Sequence, residues 1–430
     1  MDSGDTSWVL ASAALVLLMT PGLALFYGGM VRAKSVLNMM MMSFGSLALV
    51  SVLWVLYGYS MTFGTDKSKV IGDPGEYLGL KGLMDPEALS GTIPTMAFVA
   101  FQGVFAVITV ALISGAIADR AKFGTWMVFV GIWVTLVYFP VAHWVWGGGW
   151  IMKDVEAIDF AGGTAVHINA GVAGLALALV LGKRIGFAKE PMRPHNLPLV
   201  MIGAGLLWFG WFGFNAGSAV AANATASVAW VNTFVATGAA TLGWLLTERF
   251  RDGHATSLGA ASGVVAGLVA ITPACHSVSP VGAIALGALA GVLCALAVGL
   301  KYRFGYDDSL DVVGVHLVGG LVGTLAIGLL ADPDAPAGAS GLLAGGGASL
   351  LGKQAIGAFS VLGYSLIVTL IIGLVLEKTI GFRVTTETEV SGIDLDVHAE
   401  SGYDLTPATS GAFRQQSSKA AAPTGEGAMA

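Results

Sequence analysis

Two histidines stand in matching surroundings, DFAGGTAVHINAGVAG from Asp159 and DSLDVVGVHLVGGLVG from Asp308. In each, an Asp precedes the histidine (His167, His316) by eight residues, an apolar residue follows it, and Gly recurs four and seven residues further on. Two neutral imidazoles can share one proton as donor and acceptor, so such a pair offers hydrogen bonds without a fixed charge. A single histidine in an apolar helix reads equally well as a core residue bonded to a neighbouring helix. Two at matched positions cost free energy unless they satisfy each other or face a cavity, which favours a functional pair. For Asp159 and Asp308 the simpler reading is helix capping, each carboxylate accepting from free backbone N–H groups at a helix start. Asp159 could in addition organise the backbone of an outer vestibule.

Aromatic residues supply a second chemistry, because a small cation can be collected on π faces where acidic rings are lacking. The run HWVWGGGW places Trp144, Trp146 and Trp150 at one end of an apolar stretch, and its three glycines are expected to end the helix there. Trp150 reads as an interfacial belt residue. Phe105 in FQGVFAVITVALISGAIADR and Phe214 in WFGFNAGS lie in apolar runs where packing is the simpler reading. The hydroxyl of Ser218 could accept a hydrogen bond from a bound donor.

The elements that position these residues follow from composition. The 430 residues are 55% hydrophobic and only 11% charged, with mean hydropathy +0.77, against roughly 25% charged in ordinary soluble domains. A water-soluble globule is excluded. The net charge of −6 gives no bulk attraction for nucleic acid. Cys275 and Cys294 form neither a disulfide framework nor a metal-ligand spacing. The 61 glycines suit close helix packing in lipid.

A bilayer core takes about 20 apolar residues per helix. Eleven such stretches can be placed, near 7–31, 36–63, 92–118, 123–150, 162–182, 197–217, 224–247, 256–272, 281–300, 312–331 and 354–377. The first has no basic leader pattern before it and is expected to be retained. With the N-terminus outside, every Lys and Arg except Lys67, Lys69, Lys81, Lys153 and Lys353 falls on the inner side, so N-out, C-in is the expected topology. The fifth and tenth stretches, which hold the histidines, then run in opposite directions, as in an inverted repeat. Eight residues from an interfacial Asp is about 12 Å, so His167 and His316 are expected to meet near the midplane. Residues 1–381 form the membrane domain and 382–430 a cytoplasmic tail, of which 382–405 can dock on that domain. The Ala/Ser/Pro/Gly-rich 406–430 reads as disordered.

The chain resembles the Amt/MEP/Rh ammonium transporter family, in its bacterial Amt branch, through PGLALFYGG, ALISGAIADR, HWVWGGG, DFAGGTAVHINAG, KEPMRPHNLP, WFGFNAGS, ITPAC and DVVGVHLVGG, in that order over residues 8 to 383. The resemblance implies an all-α polytopic membrane protein of eleven transmembrane helices, a five-plus-five inverted repeat with an additional C-terminal helix, and a homotrimer with one pore per subunit. It implies an outer recruitment site at Phe105, Trp146 and Ser218, a gate of Phe105 and Phe214, twin histidines His167 and His316, and a supporting Asp159. It implies no cofactor. Its partners would be ammonium or ammonia, membrane lipid and a PII-type signalling protein on the cytoplasmic face of the plasma membrane. The 406–430 extension carries no family motif.

On this reading ammonium waits at the outer site, loses a proton and crosses as ammonia, with the proton following along the imidazoles; plain electroneutral ammonia conduction stays open. A sensor that signals through its tail is the rival class, although 382–430 is too short for a recognisable output domain. An intramembrane enzyme lacks a metal-ligand cluster or a Ser/His/Asp set. The Rh-like branch matches less well than the Amt blocks.

Overall fold

The computed structural model describes residues 1–403; the 406–430 extension lies outside the described residues. Among the described residues ten helices are long and apolar enough to cross a membrane: α1 (Ser3–Met30), α2 (Ala33–Phe63), α3 (Thr95–Ile117), α4 (Phe123–Val145), α5 (Gly163–Leu181), α6 (Leu197–Gly217), α7 (Ala224–Asp252), α9 (Pro280–Phe304), α10 (Val313–Leu330) and α11 (Ser349–Thr379). Between α7 and α9 lies the shorter apolar α8 (Ser257–Ile271). Its 15 residues fall below the length of a full span, because Pro273 follows closely and cannot continue the helix. Helices are the form these runs must take, since only they satisfy every backbone group within one segment.

Polar side chains mark the starts. Asn196, Asn223, Thr256 and Ser279 each accept an N–H from the first turn of α6, α7, α8 and α9. Two ends differ from the hydropathy reading. Stretch 123–150 stops at Val145, because Trp146 leaves helical geometry and Gly148 turns back at φ +90°. In its place a short helical turn covers Ile151–Val155. Helix α7 continues past 247 to Asp252, its last turn carrying Glu248, Arg249 and Arg251 beyond the apolar run. Among the described residues the rest is helical or irregular apart from two small hairpins, Asp66–Lys67 with Ile71–Gly72 and Leu89–Ser90 with Ile93–Pro94, and a single bridge of Ala121 with Arg383.

At one end of the bundle, buried charges tie the loops together. Arg184 grips Asp307 through Nε and Nη2, both at 2.9 Å, and reaches Asp119 at 3.2 Å. Arg120, fully buried, donates to Ser309 Oγ at 2.6 Å and to the Asp307 carbonyl. After α11 the chain folds back over this end as α12 (Thr386–Ser391) and α13 (Ile393–His398). Lys122 N–H donates to the Phe382 carbonyl at 2.9 Å and Val384 N–H to that of Arg120 at 3.0 Å. The Asp394 carboxylate caps the start of α2, accepting from Leu37 and Asn38 at 2.9 and 2.8 Å. This is called the tail side below, and the opposite end the vestibule side.

Candidate functional site

Helix α5 is launched by Asp159. One carboxylate oxygen accepts from Gly162 and Gly163 N–H at 2.8 and 2.7 Å; the other accepts from Thr164 N–H at 2.7 Å, from the Thr164 hydroxyl and from Ala165 N–H at 3.2 Å. Gly162 stands at φ +123°, where a side chain would be strained and would also strike Val166. Asp308 does the same work at the tail-side entry to α10, accepting from Val312 and Val313 at 3.1 and 2.7 Å. Both aspartates are thus helix caps, and that of α5 is the more heavily used.

The two histidines lie in wide, π-helical turns, Gly163–Ile168 and Val313–Leu317, a local widening frequent at functional sites. Their rings stack 5.4 Å apart with planes 20° from parallel, and His316 Nδ1 lies 3.3 Å from His167 Nδ1. One of the two nitrogens donates and the other accepts, whichever carries the proton. His167 Nε2 is buried with no partner among the described residues, which leaves it to meet a small polar molecule.

The glycines that follow each histidine explain how the rings come so close. A Cβ on Gly171, four residues after His167, would lie 2.4 Å from the Leu317 amide nitrogen, next to His316. A Cβ on Gly320, four after His316, would lie 3.1 Å from both His167 Cβ and Ile168. The contacts are reciprocal, and the first is against backbone that cannot give. Gly171→Ala should therefore destabilise the protein by about 3 kcal/mol through forced separation of α5 and α10, read as a lowered melting temperature in detergent with Gly124→Ala, which has open space, as the control.

The pair faces a narrow, apolar cavity. Its walls include Leu23, Ile108, Leu112, Val166, Leu207 and Val265. The space open to a water centre is about 10 Å³, the room of a single water. Toward the vestibule, Trp211 stacks on His167 at 5.4 Å and is anchored by its indole N–H on Thr272 Oγ1 at 2.8 Å. Phe214 lies one turn further along α6 and stacks on Phe105 at 4.2 Å between ring centres, which closes the passage.

Beyond that lid opens a vestibule of about 200 Å³, lined by Phe63, Phe98, Gln102, Phe105, Val145, Trp146, Met152, Phe160 and Ser218. Trp146 meets Phe105 edge-on at 6.2 Å and donates its indole N–H to the Asp159 carbonyl at 2.8 Å. Ser218 Oγ donates to the Phe214 carbonyl at 2.8 Å, so its lone pairs remain available as acceptors. The structure thus brings Phe105, Trp146 and Ser218 around one space, Phe105 and Phe214 into its floor, and His167 and His316 beneath.

Sequence reasoning missed several residues here. Trp211 lies three before Phe214, on the same helical face, which is a legible signal. Phe160, stacked on His276 at 4.1 Å, and Gln102 had no such sign. His143 and Trp144 are loop anchors: His143 is flanked by the Thr62 carbonyl and Asp66, each at 2.8 Å, and Trp144 donates to the Val70 carbonyl at 2.8 Å. The His143 bond is the main reason the Asp66 carboxyl is held below its usual range. Trp150, read as an interfacial belt residue, is half-buried against Trp144 at 5.8 Å. Among the described residues no three metal-ligating side chains cluster.

Comparison with known proteins gives the lineage. A family model described as Ammonium Transporter Family matches residues 7–403. A Mycobacterium tuberculosis protein named ammonium transporter is 62% identical over 437 residues, spanning 95% of this chain and 92% of that protein. The crystal structure of Saccharomyces cerevisiae Mep2 superposes with a TM-score of 0.84 at 34% identity, covering 90% of this chain and 88% of that one. A solved structure named Sensor Amt Protein does so at 0.84 with 29% identity, covering 91% and 98%.

Proposed function

Because this multi-pass membrane chain belongs to the ammonium transporter family, we propose that it transports ammonium across the plasma membrane, taking it up at the vestibule and passing it as ammonia along the cavity beside His167 and His316. The observation that carries this reading is the sequence of spaces: a wide aromatic vestibule, a stacked Phe105–Phe214 lid 4.2 Å between rings, and an apolar cavity ending on an imidazole pair. The faces of Phe105 and Trp146 attract a cation by about 0.5–2 kcal/mol, and Ser218 accepts one of its N–H bonds. Carrying a bare charge through an apolar passage costs at least about 3 kcal/mol on insertion scales, a factor of more than a hundred in rate. Releasing the proton to solvent in the vestibule, the bonding electrons staying on nitrogen, avoids that cost. The imidazole pair then supplies the hydrogen bonds that the apolar walls withhold, and its shared proton gives a separate route for the charge, so net transport is electrogenic.

The finer architecture belongs to the same proposal. Helices α1–α5 and α6–α10 form inverted halves with α8 as a thin span and α11 added outside them, which makes eleven crossings. The reciprocal Gly171 and Gly320 contacts support this. The vestibule side faces outward, the tail side and residues 382–403 face the cytoplasm, and three copies assemble with one pore each. The docked tail is the surface a PII-type protein would meet. The likeness to a sensor Amt protein favours a second use of the same site, in which binding at the vestibule alters the tail.

An ammonium concentration jump on purified protein in liposomes tests the proposal, with potassium and sodium jumps as controls. A transient inward current specific to ammonium is expected; potassium, similar in size, has no proton to shed. Internal alkalinisation without current would make the protein an electroneutral ammonia channel, and silence in both would sink the transport reading.

A further inference from the structure

Helix α11 contributes no side chain to the cavity or the vestibule walls described above. Yet it carries a fully buried amide, Gln354, near its start. Gln354 Oε1 accepts the Ile158 N–H at 2.6 Å, while Nε2 donates to the Ile158 carbonyl at 2.7 Å and to the Thr324 carbonyl at 3.1 Å. Both donor positions are used. An amide buried in an apolar helix costs free energy unless it is satisfied this fully, and here it is spent on two particular backbone segments.

Those segments are the turn that leads into α5 and the vestibule-side half of α10. Ile158 directly precedes Asp159, whose carbonyl holds the Trp146 indole and whose carboxylate launches α5 toward His167. Thr324 lies on α10 eight residues beyond His316, and its side chain faces Gly163, the first residue of α5. One side chain therefore sets both the height of the Asp159 turn and the separation of α5 from α10. A Lys353–Glu156 ion pair at 2.5 Å and the close approach of Gly357 to Ala157 hold the same loop against α11, but neither bridges to α10.

We propose that Gln354 is a positioning residue for transport: from outside the pore it aligns the Trp146 wall of the vestibule with the histidine pair. This rests on the transport reading above. Losing the clamp lets the Ile158–Asp159 turn drift, which moves the Trp146 indole relative to Phe105 and Ser218. Uptake at the vestibule weakens before conduction past the lid does.

The test measures ammonium-jump currents against concentration in liposomes for the full chain, Gln354→Met and Gln354→Glu. Methionine keeps the shape and loses every hydrogen bond; its half-saturating concentration should rise about fivefold or more while the maximal current falls less. Glutamate, when protonated, can accept from Ile158 N–H and donate to one carbonyl, but when ionised it faces two carbonyl oxygens with no donor. Its half-saturation should stay near that of the unaltered chain at about pH 6, where burial keeps the carboxyl protonated, and approach the methionine variant at about pH 9, each compared with the unaltered chain at the same pH. The other ionisable groups facing this region are Glu156 and Lys353, paired and exposed, and Asp159, engaged in its cap. If the methionine variant fails to fold, the pH dependence of the glutamate variant decides within one protein. Unchanged half-saturation in Gln354→Met, or a Gln354→Glu profile parallel to that of the unaltered chain, overturns the proposal. An unaltered chain that carries no ammonium at all would instead overturn the transport reading beneath it.

Discussion

Replacing both imidazoles, His167→Ala with His316→Ala, is expected to abolish selective ammonium transport while leaving the protein folded. The rings stack on each other, and that of His167 also on Trp211, at the edge of the cavity, whereas the close packing of α5 on α10 runs through Gly171 and Gly320. Truncation therefore removes the polar lining without opening the helix contact. An ammonia molecule in the altered passage would lose about two hydrogen bonds, each worth about 0.5–1.5 kcal/mol, which slows passage by about 5- to 150-fold. The proton loses its carrier entirely, so the ammonium-specific current should fall further than uptake measured by internal pH. The widened space would also admit water, and discrimination against potassium should weaken. Liposome currents and a melting curve in detergent check this; wild-type selective current in the folded double variant would falsify the role given to the pair.

The second large effect concerns the two capping aspartates. Asp159→Ala strands four backbone N–H groups and the Thr164 hydroxyl in a buried turn. Each unsatisfied buried donor costs about 1–3 kcal/mol, and even with strong non-additivity the loss should reach about 5 kcal/mol, a large part of a typical domain's stability. Asp159→Asn keeps one acceptor oxygen, which can serve Gly162 and Gly163, but turns an amide N–H₂ toward Thr164. It should recover only part of the loss. Asp308→Ala strands two N–H groups and should cost about half as much. The ordering Asp159→Ala, then Asp159→Asn or Asp308→Ala, is read from melting temperatures and yield of folded protein. Equal costs at the two aspartates would mean that hydrogen-bond number does not set them.

Much of this arrangement can be read without coordinates, for a physical reason. Lipid demands apolar runs of a set length, so α1 to α7 and α9 to α11 announce themselves as runs broken by charge, Pro or Gly. The matched Asp–His–Gly–Gly spacing likewise marks out His167 and His316 as partners, because a fixed spacing on a helix fixes both depth and face. What stays hidden depends on backbone detail or on distant pairing. Nothing in HWVWGGGW says that Trp146 itself leaves the helix, or that His143 and Trp144 serve the 62–70 loop and not the vestibule. The 15-residue length of α8 is set by where Pro273 must turn, not by hydropathy. Gln354 is invisible for the opposite reason: a lone Gln in an apolar run carries no periodicity, and its partners lie about 30 and 196 residues away.

The π-helical turns at Gly163–Ile168 and Val313–Leu317 have a further consequence. In each, hydrogen bonds reach back five residues instead of four; His167 N–H, for instance, bonds to the Gly162 carbonyl at 3.0 Å. Each turn therefore holds one residue more than a regular α-helix would. Losing a single codon there would let the helix close as a regular α-helix with its flanking turns near their present faces, and the widening that carries the imidazole toward its partner would be lost. The imidazole would then point away from its partner although no residue in the rest of the site had changed. Alignment of the passage is kept by a count as much as by chemistry, and lineages that tolerate many substitutions along α5 and α10 are expected to tolerate no change of length at these two turns.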